Sequence, residues 1–188
     1  FMAQVPERVL VLLDEAYFEY ACHLSDYPDS MHYRYDNVIT LRTFSKAHGL
    51  AGFRIGYGFA HEDLIENLNK VKLPFEPSWP AQVAATAALD DSAYIQKTIV
   101  SCREGMENME MVFKEMELDY IPSAANFLTL VFNNEEEAAS FCDTMLHKGI
   151  ILRHLAGWGL PDCIRVTVGQ ESENAYLATC LSEILSEV

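Results

Sequence analysis

Thr43-Phe44-Ser45-Lys46-Ala47-His48-Gly49-Leu50-Ala51-Gly52-Phe53-Arg54-Ile55-Gly56 sets one lysine among hydroxyl-bearing residues, follows it with small residues and glycines, and adds an arginine eight positions on. Immediately before it, Val38-Ile39-Thr40-Leu41-Arg42-Thr43 has the β-branched, apolar character of a strand that ends at polar chemistry. Further upstream, the unbroken apolar run 9–13 suits a strand buried on both faces of a parallel sheet. Asp14-Glu15-Ala16-Tyr17 follows at its carboxyl end, where open α/β sheets place ligands. The predicted fold class is α/β, with a mostly parallel sheet in the front part.

Outward from that segment the pattern continues in alternation. Residues 53–59 read as a glycine-interrupted strand, 62–72 as a helix and 81–89 as an alanine-rich helix. Between the two helices, Leu73-Pro74-Phe75-Glu76-Pro77-Ser78-Trp79-Pro80 is a proline-rich break. A long helical pattern runs from about 92 to 117, with Ile95, Ile99, Met106, Met109 and Phe113 on one face. Beyond it come a strand at 127–132, a helix at 135–148 stopped by Gly149, short strands at 150–153 and 164–168, and a closing helix at 172–185. That is a small α+β unit. The division expected is 1–91 for the first unit and 92–188 for the second, with the long helix as its bridge. The opening residues 1–6 read as the end of an amphipathic helix entering a strand, so a substantial front portion is expected to be missing.

Twenty-eight acids against 13 bases give a formal net charge of −15, while half of the 188 residues are hydrophobic. The balance supports a sizeable core and excludes nucleic acid and anionic membrane surfaces as partners, because both need basic patches. The five cysteines are scattered singly without a C-x-x-C pair, so neither a disulfide framework nor a zinc site is expected. Reduced thiols in a cytosolic protein are the plain reading. No stretch has the length and apolarity of a membrane span.

Four constellations carry chemistry. A lysine that attacks a carbonyl must be neutral, and Lys46 on a tight turn after a strand suits that use better than the usual surface lysine. A phosphate needs a planar cation with hydroxyl donors, which Arg54, Thr43 and Ser45 supply; the alternative for Arg54 is a salt bridge on a turn. Asp14 at the end of a buried strand needs a cationic partner, and a protonated pyridine nitrogen is one. Tyr17 then reaches the ring's phenolic oxygen; capping and packing are the alternatives for this pair. Glu15 faces away and is structural. Arg165, between Ile164 and Val166, and Arg153 both sit on short apolar strands, where capture of a carboxylate competes with an internal ion pair. For Arg153 the two uses weigh equally. His48, His154 and Cys163 read as packing or polar filler, with no metal site. Together the first three constellations point to pyridoxal phosphate.

The motifs Asp14-Glu15-Ala16-Tyr17, Thr43-x-Ser45-Lys46-x-x-Gly49-Leu50-Ala51-Gly52-x-Arg54-x-Gly56-Tyr57 and Ile164-Arg165-Val166-Thr167-Val168-Gly169 resemble fold-type I aminotransferases dependent on pyridoxal phosphate. Ser123-x-Ala125-Asn126-Phe127, Gly149-Ile150-Ile151-Leu152-Arg153 and Gly157-x-Gly159-Leu160-Pro161 draw the resemblance toward the histidinol-phosphate aminotransferase family. The resemblance implies the C-terminal part of a large cofactor-binding domain at 1–91 and a small C-terminal α+β domain at 92–188. It implies Lys46 as the Schiff-base lysine, Asp14 on the ring nitrogen, Tyr17 on the 3-oxygen, and Arg54, Ser45 and Thr43 on the phosphate. Arg165 would bind the carboxylate of glutamate or 2-oxoglutarate, and Arg153 the substrate phosphate. The implied reaction is transamination of histidinol phosphate in histidine biosynthesis, by a cytoplasmic enzyme that is a homodimer at full length. The Asn-Pro-x-Gly motif and the ring-stacking aromatic of such enzymes are not found here, so this chain alone is expected to be weakly active or inactive. The alternatives are an aromatic aminotransferase, a threonine-phosphate decarboxylase, or a folded remnant without catalysis.

Overall fold

Val11–Asp14 (β1) and Val38–Thr43 (β2) pair in parallel, so that Asp14 lies beside Leu41 and β2 runs two residues beyond it. This arrangement comes from a computed structural model, which describes residues 1–186. Gly56–Phe59 (β3) returns antiparallel to β2, giving the order β1-β2-β3. The expected mostly parallel sheet is thus corrected: one pairing of this sheet is parallel and the other antiparallel. The loop between β2 and β3 holds only a 3-10 turn at Ala51–Phe53, and without a crossover helix the chain can only fold back. The expectation of a strand buried on both faces also fails for β1. It is an edge strand, and Leu12 is 60% exposed.

The first of two compact units, Phe1–Thr98, holds this sheet together with Phe18–Ala21 (α1), Glu62–Val71 (α2) and Trp79–Asp90 (α3). Ser78 caps α3 by accepting from Ala81 N, and Pro80 stands in the first turn, where its missing N–H costs nothing. A buried ionic cluster fixes the ends of β1 and β2. Arg42 donates from Nε and Nη2 to Glu15 Oε2 at 3.0 and 2.9 Å, and from Nη2 to Asp29 Oδ1 at 2.7 Å. Its guanidinium lies 3.4 Å from the centroid of the Phe18 ring. Burial alone would lower the Arg42 pKa, but hydrogen bonding and charge from Glu15, then Asp29, outweigh it and raise it. Ser30 N donates to Glu15 Oε1, and Ser30 Oγ shares a 2.8 Å hydrogen bond with Thr40 Oγ1. Because Glu15 follows Asp14 and Arg42 precedes Thr43, the cluster sets the positions of both.

The second unit, Ile99–Val188, contains most of the long helix Ser92–Glu115 (α4). Its sheet runs in the order β4-β5-β7-β6, from Tyr120–Ile121, Phe127–Val131, Cys163–Thr167 and Arg153–His154, with every pairing antiparallel. Glu135–His147 (α5) and Glu171–Ser186 (α6) complete it. Asn134 caps α5 by accepting from Glu137 N. At the far end Gly149, at φ +83°, allows its own N–H to reach Leu146 O and that of Ile150 to reach Met145 O. Met109 and Phe113 of α4 pack in one core with Leu128, Leu130, Met145, Ile164, Val166 and Leu181.

Gly105 of α4 lies against Val168, the residue after the end of β7. A Cβ there would lie 2.5 Å from Val168 Cγ1 and 3.0 Å from Asn174 Nδ2, whose side chain is tied to Gly169. Gly105→Ala is therefore expected to destabilise this unit by about 1–3 kcal/mol in spite of alanine's better helix propensity. Urea unfolding of the two proteins checks it.

Candidate active site

Lys46 lies in the turn between β2 and the 3-10 turn, with its Nζ 5.4 Å from the centroid of the Tyr17 ring. Two features shape the turn. Thr43 Oγ1 accepts from Ser45 N at 3.0 Å, and Gly49 N donates to Lys46 O at 2.9 Å. Gly49 has φ +69°, which disfavours any larger residue, and a Cβ on it would also push the Tyr94 hydroxyl, 2.8 Å away, aside. Phe44 and Ala47 point into the interior of the unit and anchor the turn.

Asp14 is exposed at the end of β1. Its Oδ1 accepts from Ala16 N at 3.1 Å, so the capping alternative holds for one oxygen, while the other makes no hydrogen bond among the described residues. Tyr17 occupies the position before the first turn of α1, without a capping hydrogen bond from its side chain. Arg54 is exposed and left-handed at φ 52°, and its Nη1 donates to Ala51 O at 2.9 Å. The first unit thus brings Asp14, Tyr17, Thr43, Ser45, Lys46 and Arg54 to the carboxyl ends of its two parallel strands and the turn that follows.

The second unit pairs the two remaining arginines. Arg153 and Arg165 are opposite partners on β6 and β7, so their side chains leave the same face of the sheet. Both line a cleft of about 480 Å³ with Tyr176 and Asn174. The Arg165 guanidinium stands 5.3 Å from the Phe127 ring centroid, and its Nε is buried without a hydrogen-bond partner. Among the described residues, none of Arg54, Arg153 and Arg165 has an ion pair with a carboxylate, so the salt-bridge alternative is not found for any of them. Like charges directly opposite on a sheet repel. Arg153→Ser is therefore expected to stabilise this unit by up to about 1 kcal/mol at low salt, measured by thermal unfolding.

Two groups were missed as partners in the sequence. Arg42 lies inside an apolar strand, a position that demands an acid, yet nothing in the linear pattern singles out Glu15 and Asp29. His48, read as filler, is buried against Glu19 with its Nε2 3.6 Å from Glu19 Oε1. The five cysteines are free, and burial pushes the Cys102 thiol up to about 11, which keeps it protonated and unreactive near neutrality. No group of three or more potential metal ligands is found among the described residues.

The model for aminotransferase class I and II matches residues 2–181, and the chain belongs to that family. It is 44% identical to histidinol-phosphate aminotransferase 1 of Nitrosococcus oceani and to the histidinol-phosphate aminotransferase of Halalkalibacterium halodurans, in each case over the whole chain and half of the relative. Among solved structures it is similar to the histidinol-phosphate aminotransferase of Sinorhizobium meliloti in complex with pyridoxal-5'-phosphate. The TM-score is 0.90 at 31% identity, over 99% of this chain and 51% of that one. The chain spans about half the length of the curated relatives it matches.

Proposed function

We propose that this chain carries the lysine, acid and phenol of a histidinol-phosphate aminotransferase together with its anion-binding arginines. In this reading 1–91 form the C-terminal part of a large cofactor-binding domain and 92–188 a small α+β domain. The observation that carries it is the Lys46 amine beside the Tyr17 ring, next to the strand that ends in Asp14. The name of the substrate comes from the relatives at 44% identity. The residues present fit pyridoxal phosphate: among the described residues there are an amine without an ion pair, a carboxylate oxygen without a hydrogen bond, and an arginine fork satisfied only by one carbonyl. Open space lies above Gly52, where an added Cβ would meet nothing within 4 Å. Asp14 would hold the ring nitrogen, Tyr17 the phenolic oxygen, and Thr43, Ser45 and Arg54 the phosphate.

When bound, pyridoxal phosphate supplies a carbonyl carbon for amine exchange and an electron-withdrawing ring. Lys46 Nζ would act as the base that takes the proton from the substrate carbon bearing the amine and returns it to the carbon on the other side of that nitrogen, two bonds away. Asp14 would face the ring nitrogen and favour its protonated form. Arg165 grips the carboxylate of glutamate or 2-oxoglutarate with its planar fork, and Arg153 the phosphate end of histidinol phosphate. The enzyme of this reading is a cytoplasmic homodimer acting on small amino and oxo acids. Among the described residues no helix is long and apolar enough to cross a membrane.

The test joins this chain to the remainder of the relatives' length and offers three substrates. Amine transfer from histidinol phosphate to 2-oxoglutarate is expected to exceed transfer from phenylalanine and decarboxylation of threonine phosphate by at least tenfold. Failure on histidinol phosphate with turnover of either rival would overturn the assignment. In the same protein, Arg165→Met is expected to raise the KM for 2-oxoglutarate by roughly a hundredfold, the loss of about 3 kcal/mol in charge-assisted hydrogen bonds.

A further inference from the structure

We propose that Glu19 and His48 form a buried positioning pair that clamps the lysine turn to α1 and so fixes the approach of Lys46 to Tyr17. The role of Lys46 rests on the reading above, whereas the clamp itself rests on geometry. His48 follows Lys46 by two residues and has 9% of its surface exposed. Its ring packs 4.9 Å from that of Phe44. Glu19 lies in α1, two residues beyond Tyr17. Its Oε1 is 3.6 Å from His48 Nε2, with the side chains 12% and 7% exposed. The pair therefore joins the two segments at points two residues from the amine and from the phenol.

A carboxylate this far from water needs a cation or several donors, and His48 is its one ion-pair partner among the described residues. Glu19 Oε2 and His48 Nδ1 are both buried without a hydrogen-bond partner. Packing alone would be served better by two apolar side chains, which leave no polar atom orphaned. What the polar pair adds is direction: among the described residues each group's one ion-pair contact lies on the other segment, so the two move together. The Nζ-to-ring distance of 5.4 Å is what they hold.

The experiment uses the chain without cofactor. Lysines are dimethylated with 13C-formaldehyde, and the Lys46 methyl signal is identified by its loss in Lys46→Arg. The parent is expected to show this signal displaced by the Tyr17 ring, a displacement that Tyr17→Leu removes. The double variant Glu19→Met/His48→Phe replaces both partners at similar volume and is expected to fold. In it the displacement should fall by at least half, and Lys46 should be methylated severalfold faster. His48→Gln, whose amide can donate to Glu19 from the same position, should behave as the parent. A double variant with the parent's displacement and rate, or a parent without displacement, overturns the clamp. Should the double variant not fold, His48→Asn replaces it: a shift in the Asn variant with a parent-like Gln variant supports the pair, and identical behaviour of the two overturns it. Since pyridoxal phosphate is absent throughout, failure of cofactor binding at Lys46 leaves these outcomes unchanged and counts only against the functional reading.

Discussion

Replacing Lys46 with arginine is expected to lower amine transfer by at least on the order of 10⁴-fold in the protein joined to the rest of the relatives' length. Arginine keeps the charge and much of the reach, but its guanidinium does not lose a proton under any condition of the assay. It can therefore neither attack a carbonyl carbon nor move a proton at the substrate. The turn itself should survive, since its shape comes from Thr43 Oγ1, Gly49 and the buried Phe44 and Ala47. Single-turnover assays with histidinol phosphate, alongside circular dichroism, separate lost chemistry from lost fold. Residual activity above a tenth of the parent's would remove Lys46 from the mechanism.

Arg42→Ala is expected to be the most damaging single change to the first unit. It leaves Glu15 buried with its Oε2 stripped of two hydrogen bonds, and frees Asp29 from its 2.7 Å contact. Breaking a buried pair from one side costs about 3–5 kcal/mol, because the remaining charge stays out of water. The Phe18 ring also loses the cation stacked 3.4 Å away. Arg42→Lys should recover only part, since a lysine cannot give the two parallel bonds from Nε and Nη2. Denaturant unfolding followed by the tyrosines of this unit measures the effect. A loss below about 1 kcal/mol, the range of an exposed pair, would contradict the burial of the cluster.

These two predictions differ in how far the sequence foretells them. Lys46 stands out because a strand, a hydroxyl-lined turn and a distant arginine agree in order, and that order survives in the structure as β2, the turn and the left-handed Arg54. Arg42 does not stand out, because its partners come from positions 15 and 29 and meet it only after β1 and β2 pair. The parallel sheet expected from the run 9–13 is half right, since hydrophobicity reports burial propensity but not strand direction. Direction is set by the connection, and the loop before β3 has no crossover helix. β4 escapes the pattern because two residues are too short to alternate. The face shared by Arg153 and Arg165 depends on the register of β6 against β7, which no local spacing encodes.

The division of labour that this account assigns, a lysine and phenol in one unit and two anion-binding arginines in the other, depends first on Lys46 being the residue that holds pyridoxal phosphate. The most direct measurement incubates the chain with that cofactor, with the rest of the relatives' length supplied in trans, reduces with borohydride and maps the added mass by peptide mass spectrometry. The account predicts one adduct, on the peptide carrying Lys46, absent in Lys46→Arg and weakened in Arg54→Gln. An adduct spread over the other lysines, or none on Lys46, would contradict it.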